Sequence, residues 1–219
     1  MNKRRFDAAI FDMDGLILDS ERFVLSSWVT VGARYGLVGI EDFAHSVLGQ
    51  NTLTTNHRFV ERYGSEVPLK RILEEKRRIF LDAFDRGEVP LKPYVKELMG
   101  QMRDLGMKIC LASSTSRCTV TYEMHFWGID VLLDGMICGD EVKACKPDPE
   151  IFIKACAMAG ALPSRSIGLE DSYNGIRSCK RAGLFTCMVP DLIMPDDEMR
   201  SLSDCIVGSL EDVSKFLTL

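Results

Sequence analysis

The segment Ala8–Phe11 is a short apolar run that leads into two aspartates, Asp12 and Asp14, and then at once into Gly15. An apolar run bounded by a glycine predicts a strand buried on both faces, which is typical of a parallel sheet. Ligands of such sheets bind beyond the carboxyl ends of the strands. Two carboxylates held close together there repel each other, and a bound cation such as Mg2+ would relieve the repulsion. One carboxylate could then act as a nucleophile and the other as a proton donor. Asp-x-Asp pairs also begin ordinary turns, so the rest of the chain has to separate these two interpretations.

The composition limits the classes of function open to the chain. Its 219 residues carry a formal net charge of -5, which argues against broad nucleic-acid binding because that function needs a basic face. No stretch approaches the ~20 apolar residues of a membrane span, and the N-terminal residues are unlike a signal peptide. The eight cysteines form no Cys-x-x-Cys pair. We therefore expect a cytoplasmic protein with reduced thiols, without a nucleic-acid or membrane partner, and no protein partner is implied.

The hydrophobic pattern changes along the chain. Residues 20–35 and 69–84 have apolar residues at helical spacing, and no strand is predicted between residues 19 and 89. After Pro93, predicted strands alternate with predicted helices, most of which end at a glycine. The predicted strands are 6–11, 108–112, 132–138, 166–169 and 185–189, and the predicted helices of this second part are 95–105, 117–127, 150–159, 175–182 and 210–217.

Strands that alternate with helices predict a parallel sheet covered on both faces. We therefore predict an α/β fold with a Rossmann-like doubly wound parallel sheet as its core, formed by residues 1–18 and 90–219. Residues 19–89 would be an all-helical domain inserted just after the first strand.

Three later segments place polar groups where predicted strands end. Ser113 and Ser114 follow an apolar strand, and a hydroxyl with free backbone N–H groups at such a turn suits a phosphate. Lys146 precedes a Pro-Asp-Pro-Glu segment, and Glu170 and Asp171 follow another apolar strand. Taken singly, the serines could be a helix cap and the lysine a solvated surface residue. In the third segment, Asp171 or Ser172 could simply cap a helix. Together, and in this order, they indicate one polar site at one edge of the sheet.

This set of motifs resembles the haloacid dehalogenase superfamily, in its phosphatase and phosphomutase branch. The matching segments are Asp12-Met13-Asp14-Gly15, Ser113 after an apolar strand, Lys146 before Pro-Asp-Pro-Glu-Ile-Phe, and Glu170-Asp171-Ser172 leading to Gly175-Ile176. The helical insertion resembles the alpha-helical cap of the β-phosphoglucomutase-like members. The resemblance covers essentially the whole chain.

The resemblance implies a role for each of these residues. Asp12 would be the nucleophile that forms an aspartyl-phosphate, and Asp14 would protonate the leaving oxygen and later activate water. Mg2+ would be held by Asp12, the backbone carbonyl of Asp14, and Asp171, with Glu170 close by. Ser113 would hydrogen-bond the transferred phosphoryl group, and Lys146 would neutralise its charge, which is the kind of support that phosphoryl transfer needs.

The resemblance implies that the cap closes over the core about hinges near residues 18–20 and 86–87. Six further residues are candidates for contact with the substrate. They are Gly15, Ser20, Thr52, Lys76, Ser114 and Arg117. Lys76 matches a cap lysine of the family but also lies on the apolar stripe of its helix, and Arg117 could equally be a surface arginine. Where mutases of the family have a cap histidine and a cap arginine, this chain has Val24 and Thr52.

The sequence therefore predicts a Mg2+-dependent phosphatase for a small phosphorylated metabolite, a sugar or polyol phosphate. The first alternative is a β-phosphoglucomutase, an isomerase, and the second is a non-catalytic phosphate-binding regulator. The three histidines, His45, His57 and His125, lack metal-ligand spacing and are expected to be structural or surface residues.

Overall fold

The structure is a computed structural model, which describes residues 4–50 and 52–218. The chain forms two compact units, Leu18–Pro90 and the remainder, Met1–Ile17 with Leu91–Leu219. No described helix is both long enough and apolar enough to cross a membrane. The assignment of the two units as cap and catalytic core stays a prediction.

The larger unit contains a six-stranded parallel sheet. Its strands are β1 (Ala8–Phe11), β2 (Lys108–Ser113), β3 (Gly135–Cys138), β4 (Ser166–Glu170), β5 (Phe185–Met188) and β6 (Cys205–Ile206). They lie in the order β3-β2-β1-β4-β5-β6. The chain thus winds outward from β1 in one direction and then returns to wind outward in the other. The predicted α/β fold with a doubly wound parallel sheet is confirmed.

The helices of both units are regular and mostly short. Those of the smaller unit are α1 (Glu21–Arg34), α2 (Ile40–Ser46), α3 (Thr52–Tyr63) and α4 (Leu69–Asp85). Those of the larger unit are α5 (Val95–Asp104), α6 (Arg117–Phe126), α7 (Glu150–Met158), α8 (Tyr173–Ala182), α9 (Asp197–Leu202) and α10 (Leu210–Val213).

The register of the central strands aligns their carboxyl ends. Phe11 of β1 pairs with Leu111 of β2 on one side and with Leu169 of β4 on the other. All three strands are buried, apart from the first residue of β2. The residues that follow these pairs therefore leave the sheet side by side, at the point where the strand order reverses.

Several predicted boundaries were wrong. The strand predicted at 132–138 begins only at Gly135, because Asp130–Leu132 form a 3-10 turn and the Asp134 carboxylate accepts a hydrogen bond from Ile109 N–H at 2.9 Å. The helix predicted at 175–182 begins at Tyr173, since the Ser172 hydroxyl accepts from Gly175 N–H and caps it. The closing helix, predicted at 210–217, is α-helical only over α10 and continues as a 3-10 turn, Ser214–Phe216.

An aromatic cluster forms the centre of the smaller unit. The ring of Trp28 stacks on Phe59 at a centroid distance of 5.7 Å, and Phe43 meets both rings edge-on. Helices α1 and α2 approach closely because α1 has Gly32 facing Ile40, where a Cβ would lie 2.4 Å from the Ile40 Cγ1. Trp28 belongs to this unit's core, since only 3% of its surface is exposed.

Candidate active site

The side chain of Lys146 lies at the centre of a buried charged cluster. Its Nζ donates to Asp12 Oδ1 at 2.5 Å, to Glu170 Oε1 at 2.6 Å and to the backbone carbonyl of Ala112 at 2.9 Å. Lys146 is 6% exposed and Asp12 7%, while Glu170 is fully buried. The surface-lysine interpretation is therefore excluded for Lys146, because a lysine is buried this deeply only when its charge is paired.

Three carboxylates of this cluster lie close enough to share one cation. An oxygen from each of Asp12, Glu170 and Asp171 lies within 4.8 Å of the others, and all three residues are buried. With all groups ionised, three carboxylates against one ammonium leave two negative charges in a buried space. Hard oxygen donors with this charge fit a divalent cation such as Mg2+. The Asp14 side chain is not part of this group.

Burial and mutual repulsion shift the pKa values within the cluster. Burial, and after it the charge of Glu170, raises the pKa of Asp12 above its ordinary value, with Lys146 opposing the shift. Burial alone would lower the pKa of Lys146, but the carboxylates of Asp12 and Glu170 outweigh it and hold that pKa above its ordinary value. Lys146 thus places a positive charge beside Asp12.

Glu170 is held from two sides. Its Oε2 accepts from Ser172 N–H at 3.1 Å and from the Ser172 hydroxyl at 3.0 Å, while Oε1 accepts from Lys146. Gly175, in the first turn of α8, leaves the space that the carboxylate occupies, because a Cβ there would lie 1.8 Å from the Glu170 Cδ. The glycine is required by this close approach rather than by backbone conformation.

We expect the substitution Gly175→Ala to displace the Glu170 carboxylate and break its bonds to Ser172 and Lys146. Overpacking of this kind lowers the free energy of unfolding by roughly 1–3 kcal/mol, and activity should fall because Lys146 loses one of its anchors. Thermal unfolding and phosphate release measure the two effects. Gly100→Ala is the matched control, since it also lies within a helix but a Cβ there meets nothing within 4 Å. If Gly175→Ala and Gly100→Ala had the same unfolding temperature and the same rate of phosphate release, the space left by Gly175 would not be needed to place the Glu170 carboxylate.

The polar loop after β2 joins the site from the other side of β1. Ser113 is the last residue of β2 and fully buried, although the sequence predicted a strand that ends at Ala112. Its hydroxyl accepts from Thr115 N–H at 3.1 Å. The Thr115 hydroxyl in turn donates to Asp14 Oδ2 at 3.0 Å, so this loop is tied to the aspartate pair.

Arg117 forms several hydrogen bonds to residues of the larger unit. Its Nη2 donates to the Met136 carbonyl at 2.7 Å and to the Glu141 carboxylate at 2.5 Å. Its backbone N–H donates to Asp140 at 3.0 Å. These contacts connect the start of α6 to the end of β3. A role for Arg117 at the distal end of a substrate stays a prediction.

The other predicted substrate residues lie in different surroundings. Gly15 is buried with a φ of +75°, in the turn just after the aspartate pair, and Ser114 is exposed. In the smaller unit, Ser20 is buried just before α1 and Thr52 is exposed at the start of α3. Contact of these four residues with a substrate stays a prediction.

Lys76 lies on α4 with its ammonium over the face of a tryptophan. The Nζ is 3.2 Å from the centroid of the Trp28 ring. Burial lowers the pKa of Lys76 to about 7, with the charge of Glu21 opposing the shift. The cation–π contact favours the charged form. The Lys76 side chain is partly buried against Trp28 within its own unit. Its contact with a substrate stays a prediction.

The fold and the site together define a class of protein: an α/β enzyme whose buried acidic cluster lies at the strand ends where the sheet order reverses. A family model described as haloacid dehalogenase-like hydrolase matches residues 9–189. The chain belongs to the haloacid dehalogenase-like hydrolase family. The predicted family resemblance and the predicted hydrolase class are confirmed.

Known proteins similar to this chain along most of its length include named phosphatases. It is 29% identical over 182 residues to a phosphorylated carbohydrates phosphatase of Thermotoga maritima, across 81% of this chain and 82% of the relative. It is 26% identical over 214 residues to hexitol phosphatase B of Escherichia coli, across 96% of each.

Solved structures of low sequence identity share the fold. CbbY from Rhodobacter sphaeroides, in complex with phosphate, superposes with a TM-score of 0.79 at 24% identity, over 95% of this chain and 96% of that one. A β-phosphoglucomutase from Clostridium difficile superposes with a TM-score of 0.78 at 24% identity, over 96% of each chain. At these identities the likeness identifies the fold alone.

Proposed function

We propose that the protein is a Mg2+-dependent phosphatase that hydrolyses a small phosphorylated metabolite, a sugar or polyol phosphate, through an aspartyl-phosphate on Asp12. The observation that carries the proposal is the buried Lys146 ammonium between the carboxylates of Asp12 and Glu170. The names of the Thermotoga and Escherichia relatives support the substrate class.

The first half-reaction transfers the phosphoryl group to the protein. A carboxylate oxygen of Asp12 attacks phosphorus, the bond between phosphorus and the ester oxygen breaks, and Asp14 gives its proton to the departing alkoxide. Lys146 stabilises the negative charge that develops on the phosphoryl oxygens, and Ser113 offers a hydrogen bond to them.

The second half-reaction releases phosphate. Asp14, now ionised, takes a proton from water, whose oxygen attacks the phosphorus of the aspartyl-phosphate and displaces the Asp12 carboxylate. The free phosphate leaves and Asp14 has regained its proton. Asp12, Glu170 and Asp171 would hold Mg2+, which when bound supplies positive charge to the phosphoryl oxygens.

A panel of phosphate esters tests the proposal. We expect phosphate release from sugar or polyol phosphates with Mg2+, and loss of that release when a chelator removes the metal. The panel includes nucleotide and glycolytic phosphates as well as β-glucose 1-phosphate, which is also followed for glucose 6-phosphate. Conversion to glucose 6-phosphate with little free phosphate would establish a mutase instead. Absence of any turnover across the panel would favour a phosphate-binding regulator.

A further inference from the structure

We propose that Thr115 is a positioning residue that holds the Asp14 carboxylate in the orientation needed for proton transfer. The inference rests on the proposed function, because it concerns the acid and base of that reaction. Thr115 lies between β2 and α6 and is separated from Asp14 by 101 residues of sequence, yet its Oγ1 donates to Asp14 Oδ2 at 3.0 Å.

All three hydrogen-bonding groups of Thr115 have partners. Besides the bond to Asp14, its N–H donates to the Ser113 hydroxyl at 3.1 Å, and its carbonyl accepts from Gly139 N–H at 2.9 Å. Gly139 follows β3, and a Cβ there would lie 2.1 Å from the Ser114 carbonyl oxygen. The loop after β2 and the loop after β3 are therefore in direct backbone contact. Hydrogen bonds to Ser113 and from Gly139 fix the backbone of Thr115 and so limit where its side chain can lie.

The Asp14 carboxyl group is less deeply buried than that of Asp12. The Asp12 carboxylate is buried and bound by Lys146, whereas Asp14 is partly exposed and lies in the turn that Gly15 completes. A hydroxyl bound to one carboxylate oxygen restricts rotation of the carboxyl group. A reacting group misplaced by 1 Å can lose about 100-fold in rate, so restraint at this position acts directly on proton transfer.

A threonine hydroxyl also suits a residue that changes protonation state during turnover. When Asp14 is ionised, the hydroxyl donates to it. When Asp14 carries a proton, the same hydroxyl can rotate and accept a hydrogen bond from it. An ammonium or a backbone N–H in this place could only donate, and it would favour the ionised form alone. Thr115 thus orients Asp14 both as acid and as base.

The substitution Thr115→Val removes the hydroxyl with little change of shape, and Thr115→Ser keeps it. The test compares kcat/KM for an alkyl phosphate, whose leaving group needs a proton, with that for an aryl phosphate such as p-nitrophenyl phosphate, whose leaving group does not. For Thr115→Val we expect kcat/KM to fall by about 10- to 100-fold on the alkyl ester and by only a few-fold on the aryl ester. Thr115→Ser should remain close to the unsubstituted protein on both.

The same substitution in an Asp14→Asn background separates positioning from a merely structural role. If Thr115 acts through Asp14, Thr115→Val should change kcat/KM by less than about 3-fold once Asp14 has been replaced. Equal losses on both esters, or an undiminished loss in the Asp14→Asn background, would overturn the inference. An unsubstituted protein that hydrolyses no ester would instead contradict the proposed function, so the two failures are distinguishable.

Discussion

The substitution Asp12→Asn is expected to lower phosphate release by at least about 10⁴-fold, since it removes the nucleophile of the proposed reaction. An amide oxygen carries no negative charge and forms no aspartyl-phosphate. The fold should be retained, because asparagine has nearly the same shape and its introduction removes one of three mutually repelling buried carboxylates. Phosphate release measures the first effect, and thermal unfolding without divalent cation measures the second.

A control substitution and the trapping of a phosphoprotein link the expected loss of activity to the Asp12 carboxylate. Asp104→Asn is the matched control, because Asp104 is exposed at the end of α5, and its activity should be unchanged. Rapid quenching of turnover should trap a hydroxylamine-sensitive phosphoprotein from the unsubstituted chain and none from Asp12→Asn. Phosphate release by pure Asp12→Asn at more than a few per cent of the original rate would rule out Asp12 as the nucleophile.

The substitution Lys146→Met should damage both activity and stability. Without the ammonium, Asp12 and Glu170 face each other in a buried space with no opposing charge from this side chain. Removal of one partner from a buried ion pair costs roughly 3–5 kcal/mol of unfolding free energy. Loss of charge stabilisation in the transition state is expected to lower kcat by about 10³-fold. Denaturant unfolding without divalent cation and steady-state kinetics measure the two losses.

Lys143→Met provides the comparison for this second prediction. Lys143 lies three residues earlier in the same segment but is exposed, so its replacement should change the free energy of unfolding by no more than about 0.5 kcal/mol. If Lys146→Met unfolds at the same denaturant concentration as Lys143→Met, the ion pair is not holding the cluster together. An unchanged kcat for Lys146→Met would show that Lys146 has no role in catalysis.

The rule by which the sequence predicts that these polar residues lie near one another is topological. Asp12, Ser113 and Glu170 each lie where a buried apolar strand ends, and parallel strands in register must bring their carboxyl ends together. The prediction that Lys146 also lies where a strand ends was wrong, because β3 ends at Cys138 and Lys146 lies well beyond it in the following loop. Only coordinates could establish that its ammonium reaches two carboxylates at once.

Other features carry little signal in the sequence. Helix α3 went unpredicted because it buries only Phe59 and its sequence is rich in threonine, which is a weak helix former. Strand β6 has two residues, which is too short for any alternation to be recognised. Thr115 was missed because its contact with Asp14 depends on the folding of two distant loops toward each other.

The register of β1 has a consequence for how the protein is made. Ala8 pairs with Lys108 and with Ser166, so the strand that carries the aspartates leaves the ribosome long before either neighbour exists. Contacts so distant along the chain form late and slow the search for the native state. During synthesis β1 is an apolar segment with both edges unpaired, which favours aggregation until β2 and β4 emerge. We therefore expect catalytic competence to arise only after residue 171 has cleared the exit tunnel.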